Sequence, residues 1–201
     1  MVPPLRVLLV LGSLWLPGCA STPPQKPADL CAIFEEKPDW YPAVRNSASR
    51  WDVPISVQMA IIRHESAFDE AAEPPRTWFL GLIPTGRVSS AYGYAQALDG
   101  TWARYQKATG RGGAHRDDFE DATDFVGWYL SQSRRELGIP TTDAYRHYLA
   151  YHEGAGGYAR GSYRSKPWLT RVAQSVSRTA QRYDRQLKGC PEDLISDDDA
   201  F

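Results

Sequence analysis

Glu65 is the side chain whose surroundings best suit proton exchange near neutral pH. It falls at the C-terminal end of an otherwise apolar helical segment, shortly after Ile61 and Ile62. The negative end of the helix dipole and partial burial both disfavour a carboxylate, so its pKa is expected to rise. An acid that protonates a leaving oxygen needs that rise, and moving a Glu from about 4.3 to about 6.3 costs around 2.7 kcal/mol of environment energy. The alternative is a surface Glu paired with the neighbouring Arg63; spacing does not decide between the two. Other chemistries find less support. The pair His64-Glu65 begins like HExxH, but Phe68 stands where the second His must be. His64, His115, His147 and His152 do not share a helical face at ligand spacing, so neither a metal nor a cofactor is expected. There is no phosphate-binding glycine loop and no GxSxG.

The chain that must position Glu65 has 201 residues, 42% hydrophobic and 12% aromatic, with 23 Lys+Arg against 24 Asp+Glu. That length suits one domain with a real core. The balanced charge argues against a nucleic-acid binder, and the aromatic content against wholesale disorder. The periodicity is helical nearly throughout, and the expected fold class is all-α. Helices are expected over 40–51, then over 55–68 behind Pro54, with Ile55, Met59, Ala60 and Ile62 forming one core face. A third is expected from an Asp99 cap to Thr109, stopped by Gly110. A fourth starts at Asp117 or Asp118 and carries the stripe Phe119, Ala122, Val126, Tyr129, Leu130 and Leu137, ended by Gly138 and Pro140. A fifth covers 142–152, broken by Gly154, Gly156 and Gly157, and a long last helix covers 167–187. The apolar, proline-flanked stretch 74–88 is expected as a long structured loop or flap, with no substantial sheet. The tail 196–201, with three consecutive Asp, is expected to be mobile.

The N-terminus reads as an address. Arg6 precedes an apolar run, 7–16, too short for the roughly 20 residues that span a bilayer but suited to a secretory signal. The run ends in Leu16-Pro17-Gly18-Cys19, which resembles a bacterial lipobox with Cys19 as the lipidated residue; the alternative is an ordinary signal peptide with a chance Cys. The following segment 20–28 carries three prolines and suits an extended tether. Ala20 after the Cys is not the Asp that commonly retains such proteins at the inner membrane, so the outer membrane, facing the periplasm, is expected. The expected division is a signal peptide over 1–18, a lipidated Cys and linker over 19–30, a catalytic domain over 31–190 and an acidic tail over 191–201. With Cys19 acylated, Cys31 and Cys190 are expected to form a disulfide, the alternative being two buried free thiols. Such a bond would close a loop of about 160 residues, worth about 5 kcal/mol in the chain-entropy model.

Three short segments join Glu65 in order. Glu65-Ser66 follows the apolar helix, then come Gly93-Tyr94-Ala95-Gln96 and Ala150-Tyr151-His152-Glu153-Gly154. Together they resemble the motifs E-S, G-L-M-Q and A-Y-N-x-G of the soluble-lytic-transglycosylase-like (SLT) family, over about Ile55 to Gly157. The resemblance implies a single lysozyme-like domain that cleaves peptidoglycan glycan strands between N-acetylmuramic acid and N-acetylglucosamine. It implies that one Glu, here Glu65, acts first as acid and then as base, closing a 1,6-anhydro ring without a second carboxylate.

By the same resemblance Gly93 lets the backbone approach the cleft, Gln96 and Ser66 line the sugar sites, and the Tyr151 phenol reaches the catalytic carboxyl. The departures from the motifs give further expectations. Tyr94 replaces the motif Leu and is expected to stack on a pyranose in place of the following Met, here Ala95. His152 replaces Asn and keeps hydrogen-bonding capacity. Arg87 stands where the family often has a Ser, and Ser89 is the expected replacement donor to an N-acetyl group. The expected partners are glycan strands and, through Cys19, a membrane. No nucleic acid is expected, protein partners are open, and a monomer is expected. The alternatives are a hydrolytic muramidase of goose-lysozyme type and a non-catalytic peptidoglycan-binding envelope protein.

Overall fold

The structure, a computed structural model, describes residues 22–79 and 83–195. The apolar leader, Cys19, Ala20 and the tail 196–201 lie outside the described residues. Among the described residues eight helices follow in order: α1 (Leu30–Glu36), α2 (Trp40–Trp51), α3 (Ile55–Ser66), α4 (Asp99–Thr109), α5 (Phe119–Leu137), α6 (Ala144–Arg160), α7 (Pro167–Leu187) and α8 (Glu192–Ile195), with a 3-10 turn over Ser162–Ser165. The all-α expectation is met, and α1 is a short helix that the sequence pattern did not announce. Asp29, Asp118 and Asp143 cap α1, α5 and α6, each accepting a backbone N–H of the first turn, and Pro167 opens α7.

The helix carrying Glu65 is the central one. Ser56 through Ile62 are all buried, so α3 is enclosed on every side rather than on one face. It packs chiefly on α7 and also touches α2, α5 and α6. Gln58, fully buried within it, donates from Nε2 to Val53 O at 3.0 Å. α2 and α5 meet closely at Gly127, where a Cβ would lie 2.5 Å from Ser47 Oγ. Beside that contact the buried Asp124 accepts from Trp51 Nε1 at 2.8 Å and Tyr105 Oη at 2.7 Å, with Arg50 at 3.3 Å. A buried carboxylate held this way is strongly committed to its place. Cys31 and Cys190 are joined in a disulfide, tying the two ends of the helical body together.

Two elements differ from the sequence reading. The 74–88 stretch, expected as a long structured loop or flap, is built as strands: β1 (Arg76–Phe79) and β2 (Ile83–Arg87) form an antiparallel hairpin with an irregular register at Thr77 and Trp78. Its base is fastened by Arg87, which donates to Pro74 O at 2.8 Å and pairs with Glu73. Residues in this stretch alternate too poorly for a strand pattern, and the cross-strand ladder supplies what periodicity lacks. The second difference is α6, which continues to Arg160. Gly154 takes φ 69°, ψ 163° and kinks the helix where a break was expected. Only a residue without Cβ enters that conformation cheaply.

Candidate active site

Glu65 is the penultimate residue of α3, and the chain leaves that helix through two left-handed non-glycine residues, Ala67 (φ 54°) and Phe68 (φ 67°). Such residues cost on the order of 1 kcal/mol each. Two features offset this. Ser66 Oγ donates to Ile62 O at 3.2 Å and accepts Phe68 N–H at 3.1 Å, and the Phe68 ring is fully buried against Trp40. Ser66 was expected among the sugar ligands. Its hydroxyl instead bonds to backbone on both sides and fixes the sharp exit that holds Glu65 at the helix end.

Burial pushes the Glu65 carboxyl up to about 7, and a hydrogen bond donated by Tyr148 pulls in the opposite direction. Desolvation dominates, so the acid persists to neutral pH. Tyr148 and Tyr151 lie three residues apart on α6, hence on one face. The expectation that Tyr151 reaches the carboxyl gives way to a division of labour. Tyr151 Oη donates to Ala95 O at 2.6 Å, tying α6 to the second motif, while Tyr148 supplies the hydrogen bond to Glu65. Tyr151 remains close enough for the Glu65 charge to act on it, and burial drives its own phenol upward.

Tyr151 also walls a cleft of about 680 Å³ with Gln96, Tyr129, His152, Glu153 and Gly154. Glu65 is not itself part of that wall; Tyr151 links the two. Gln96 has φ 48° and donates from Nε2 to Ala72 O at 2.8 Å and Gly93 O at 2.9 Å. With its amide nitrogen committed to the backbone, its oxygen is the group left to meet a substrate donor. His152 is exposed at the cleft; its Nδ1 lies 3.0 Å from Glu153 Oε1 and its ring meets the edge of Trp168 at 5.1 Å between centroids.

Gly93 (φ 74°) makes a close approach to the chain itself: a Cβ there would lie 2.1 Å from Arg116 O. Two expectations in and just before the second motif are corrected. Tyr94 is only 2% exposed and packs edge-on against Trp40 and Phe119, on the side of a different depression. Being enclosed in an aromatic core, its ring cannot stack on a pyranose. Ser89 Oγ accepts Ala91 N–H at 3.4 Å in a local turn and does not line the cleft.

Two residues escaped the sequence reading. Tyr148 carried a signal, one turn before Tyr151 on the same helix. Glu153 fills the unspecified position of the third motif. Its side chain is 4% exposed and bonds Lys166 Nζ at 2.6 Å, Ser162 Oγ and His152. Lys166 first, then Ser162, hold its carboxyl down to about 2.

Among curated proteins none matches the chain. A family model described as a transglycosylase SLT domain matches residues 7–190, from within the apolar leader to the second cysteine of the disulfide. Members of that family act on peptidoglycan in the bacterial envelope. The chain belongs to the transglycosylase SLT domain family.

Proposed function

We propose that this protein is a peptidoglycan lytic transglycosylase that cleaves the β-1,4 bond between N-acetylmuramic acid and N-acetylglucosamine without water. The observation that carries the reading is Glu65, whose carboxyl titrates at about 7 in its buried setting. At neutral pH a substantial share is protonated and able to act as a general acid. Glu65 gives its proton to the glycosidic oxygen as the C1–O bond breaks. The adjacent N-acetyl oxygen stabilises the cation at C1. The Glu65 carboxylate then takes the proton from the sugar's own 6-hydroxyl, O6 bonds to C1, and the acid is restored. The nucleophile is already attached to the electrophile, so its effective molarity is high and no second carboxylate is required to activate water.

Gln96 and His152 are the substrate ligands in this reading, supported by their place on the cleft wall. Tyr148 restrains the rise that burial imposes on the Glu65 pKa, and Tyr151 holds the second motif against α6. The lipobox at Cys19 and the proline-rich segment after it support attachment to the outer membrane, with the catalytic domain reaching the wall from the periplasmic side.

The test is digestion of purified sacculi by a soluble form beginning at Ala20, with products resolved by mass spectrometry. Muropeptides one water lighter than hydrolysis products, absent with Glu65→Gln, are expected. Hydrated products would assign a muramidase instead. Folded protein that binds sacculi and releases nothing would make it a binding protein.

A further inference from the structure

The longest helix carries a one-sided row of arginines. On α7 Arg171, Arg178, Arg182 and Arg185 follow at steps of seven, four and three. At 3.6 residues per turn they fall within about 60° of one another, along about 21 Å of rise. Leu169, Ala173, Val176, Ala180 and Tyr183 occupy the opposite, buried face. The formal net charge of the whole chain is -1, so the row is a local concentration of positive charge.

That charge is uncompensated. Among the described residues none of the four arginines makes an ion pair. Asp184, the only acid of the helix, is paired with Lys188 at 2.6 Å. Arg171, Arg178 and Arg185 are exposed, and Arg182 is half-buried with Nη2 3.5 Å from Thr179 Oγ1. Arg63 of α3 adds a further cation beside them, donating to Tyr183 Oη at 3.4 Å. Burial, then the fields of Arg63, Arg178 and Arg182, hold the His64 ring below its ordinary pKa. The positive face is therefore made of guanidinium groups, which stay charged at any working pH.

The chain enters the helical body on this same helix. Tyr183 Oη donates to Pro27 O, and the Gln186 side chain donates to Ala28 O at 3.2 Å and accepts the Leu30 N–H at 3.1 Å. Pro27 stands eight positions after Cys19, a stretch that spans at most about 29 Å. A lipid on Cys19 would thus keep α7 within reach of a bilayer. We propose that the arginine row of α7 lies on the anionic headgroups of that bilayer, guanidinium edges facing lipid phosphates, and so fixes which side of the domain faces the membrane. The inference rests on the lipid-anchored reading of Cys19 and goes beyond it, because a tether sets distance and leaves orientation open. Basic residues and acyl chains act together at such surfaces, each Lys or Arg adding about fivefold to binding.

The form beginning at Ala20 keeps every helix and the disulfide but lacks the lipid, so its vesicle binding reads the arginines alone. It is sedimented with vesicles of phosphatidylcholine and with vesicles of an equal mixture of phosphatidylcholine and phosphatidylglycerol, at low and at high salt. Binding to the mixed vesicles alone, weakened by salt, is expected. Arg171→Gln, Arg178→Gln and Arg185→Gln are each expected to cost about fivefold, and the corresponding Lys variants to retain binding. Arg135→Gln and Arg160→Gln remove the same charge from exposed positions on α5 and α6 and are expected to leave it unchanged. Equal losses from those two positions would reduce the effect to net charge and overturn the proposal. Absence of binding to the mixed vesicles would overturn it too, and the row would belong to the wall polyanion if the same arginines govern retention on sacculi. The mass of the mature chain recovered from membranes reads acylation of Cys19 separately. An unacylated chain whose Ala20 form still binds vesicles through the arginines would keep the surface and lose the anchor.

Discussion

The Tyr148 hydroxyl donates a hydrogen bond to the Glu65 carboxyl, from one turn before the motif tyrosine of α6. The bond favours the ionised form and thereby restrains the rise that burial imposes on the acid. Tyr148→Phe removes the donor and leaves the desolvation, so the Glu65 pKa moves further up. Catalysis that begins with protonated Glu65 declines as pH rises past about 7 in the wild type. In the variant that alkaline limb is expected at higher pH, with the maximum rate lowered about tenfold because the carboxyl loses its positioning partner. A pH profile of kcat/KM on soluble strands reads both effects. Tyr151→Phe is expected to lower activity without moving the limb in that manner, since its hydroxyl serves Ala95.

Glu65 also costs stability, and the sign is fixed by its pKa. The carboxyl titrates at about 7 folded against 4.5 as its ordinary value, so the folded state binds more protons between them. Stability falls as pH rises through that window and stays lower above it. Glu65→Gln removes the titration, and is expected to be more stable than wild type at pH 8 by on the order of 2 kcal/mol. The difference should vanish below about pH 4.5. Urea denaturation of both proteins at pH 4 and pH 8 measures it.

Gly93 tests whether the second motif serves the fold or the sugar. A Cβ there meets the Arg116 carbonyl at 2.1 Å, whereas Gly110, with the same φ of 74°, faces open space. Gly110→Ala bears only left-handed strain, about 1 kcal/mol. Gly93→Ala bears the strain and a clash with backbone that cannot swing aside, and is expected to lose about 3 kcal/mol or more. The gap between the two variants in melting experiments isolates the clash.

What the sequence made legible, and what it hid, divides along a physical line. Helices with caps and stripes, α5 above all, announce themselves, because one buried face imposes a period on the chain. The raised pKa of Glu65 was also readable, since an apolar helix end implies desolvation. The roles of Tyr94, Ser66 and Ser89 were not. Whether an aromatic ring stacks on a sugar or on Trp40 depends on tertiary packing, which no local spacing encodes. The hairpin at Arg76–Phe79 and Ile83–Arg87 was hidden for a related reason, since its pairing lies between segments rather than within either. Tyr148 was masked by its neighbour Tyr151, which sits in the motif.

Glu153 gives the last expectation. Its carboxylate accepts from Lys166, Ser162 and His152, so it joins the kinked half of α6 to the 3-10 turn and the start of α7. Those bonds depress its pKa to about 2, against an ordinary 4.5. Its contribution is therefore complete above about pH 4.5 and is lost as pH falls toward 2. The Lys166 side chain is 38% exposed, which screens part of the attraction. Glu153→Gln is expected to cost about 1 kcal/mol at pH 7 and nothing near pH 2. The same change frees the His152 ring, whose Nδ1 it now holds at the cleft wall. KM for glycan strands is expected to rise a few-fold while kcat changes little, because orientation of a ligand is lost and the acid at Glu65 is untouched. A fall in kcat with KM unchanged would show instead that Glu153 acts on the chemical step.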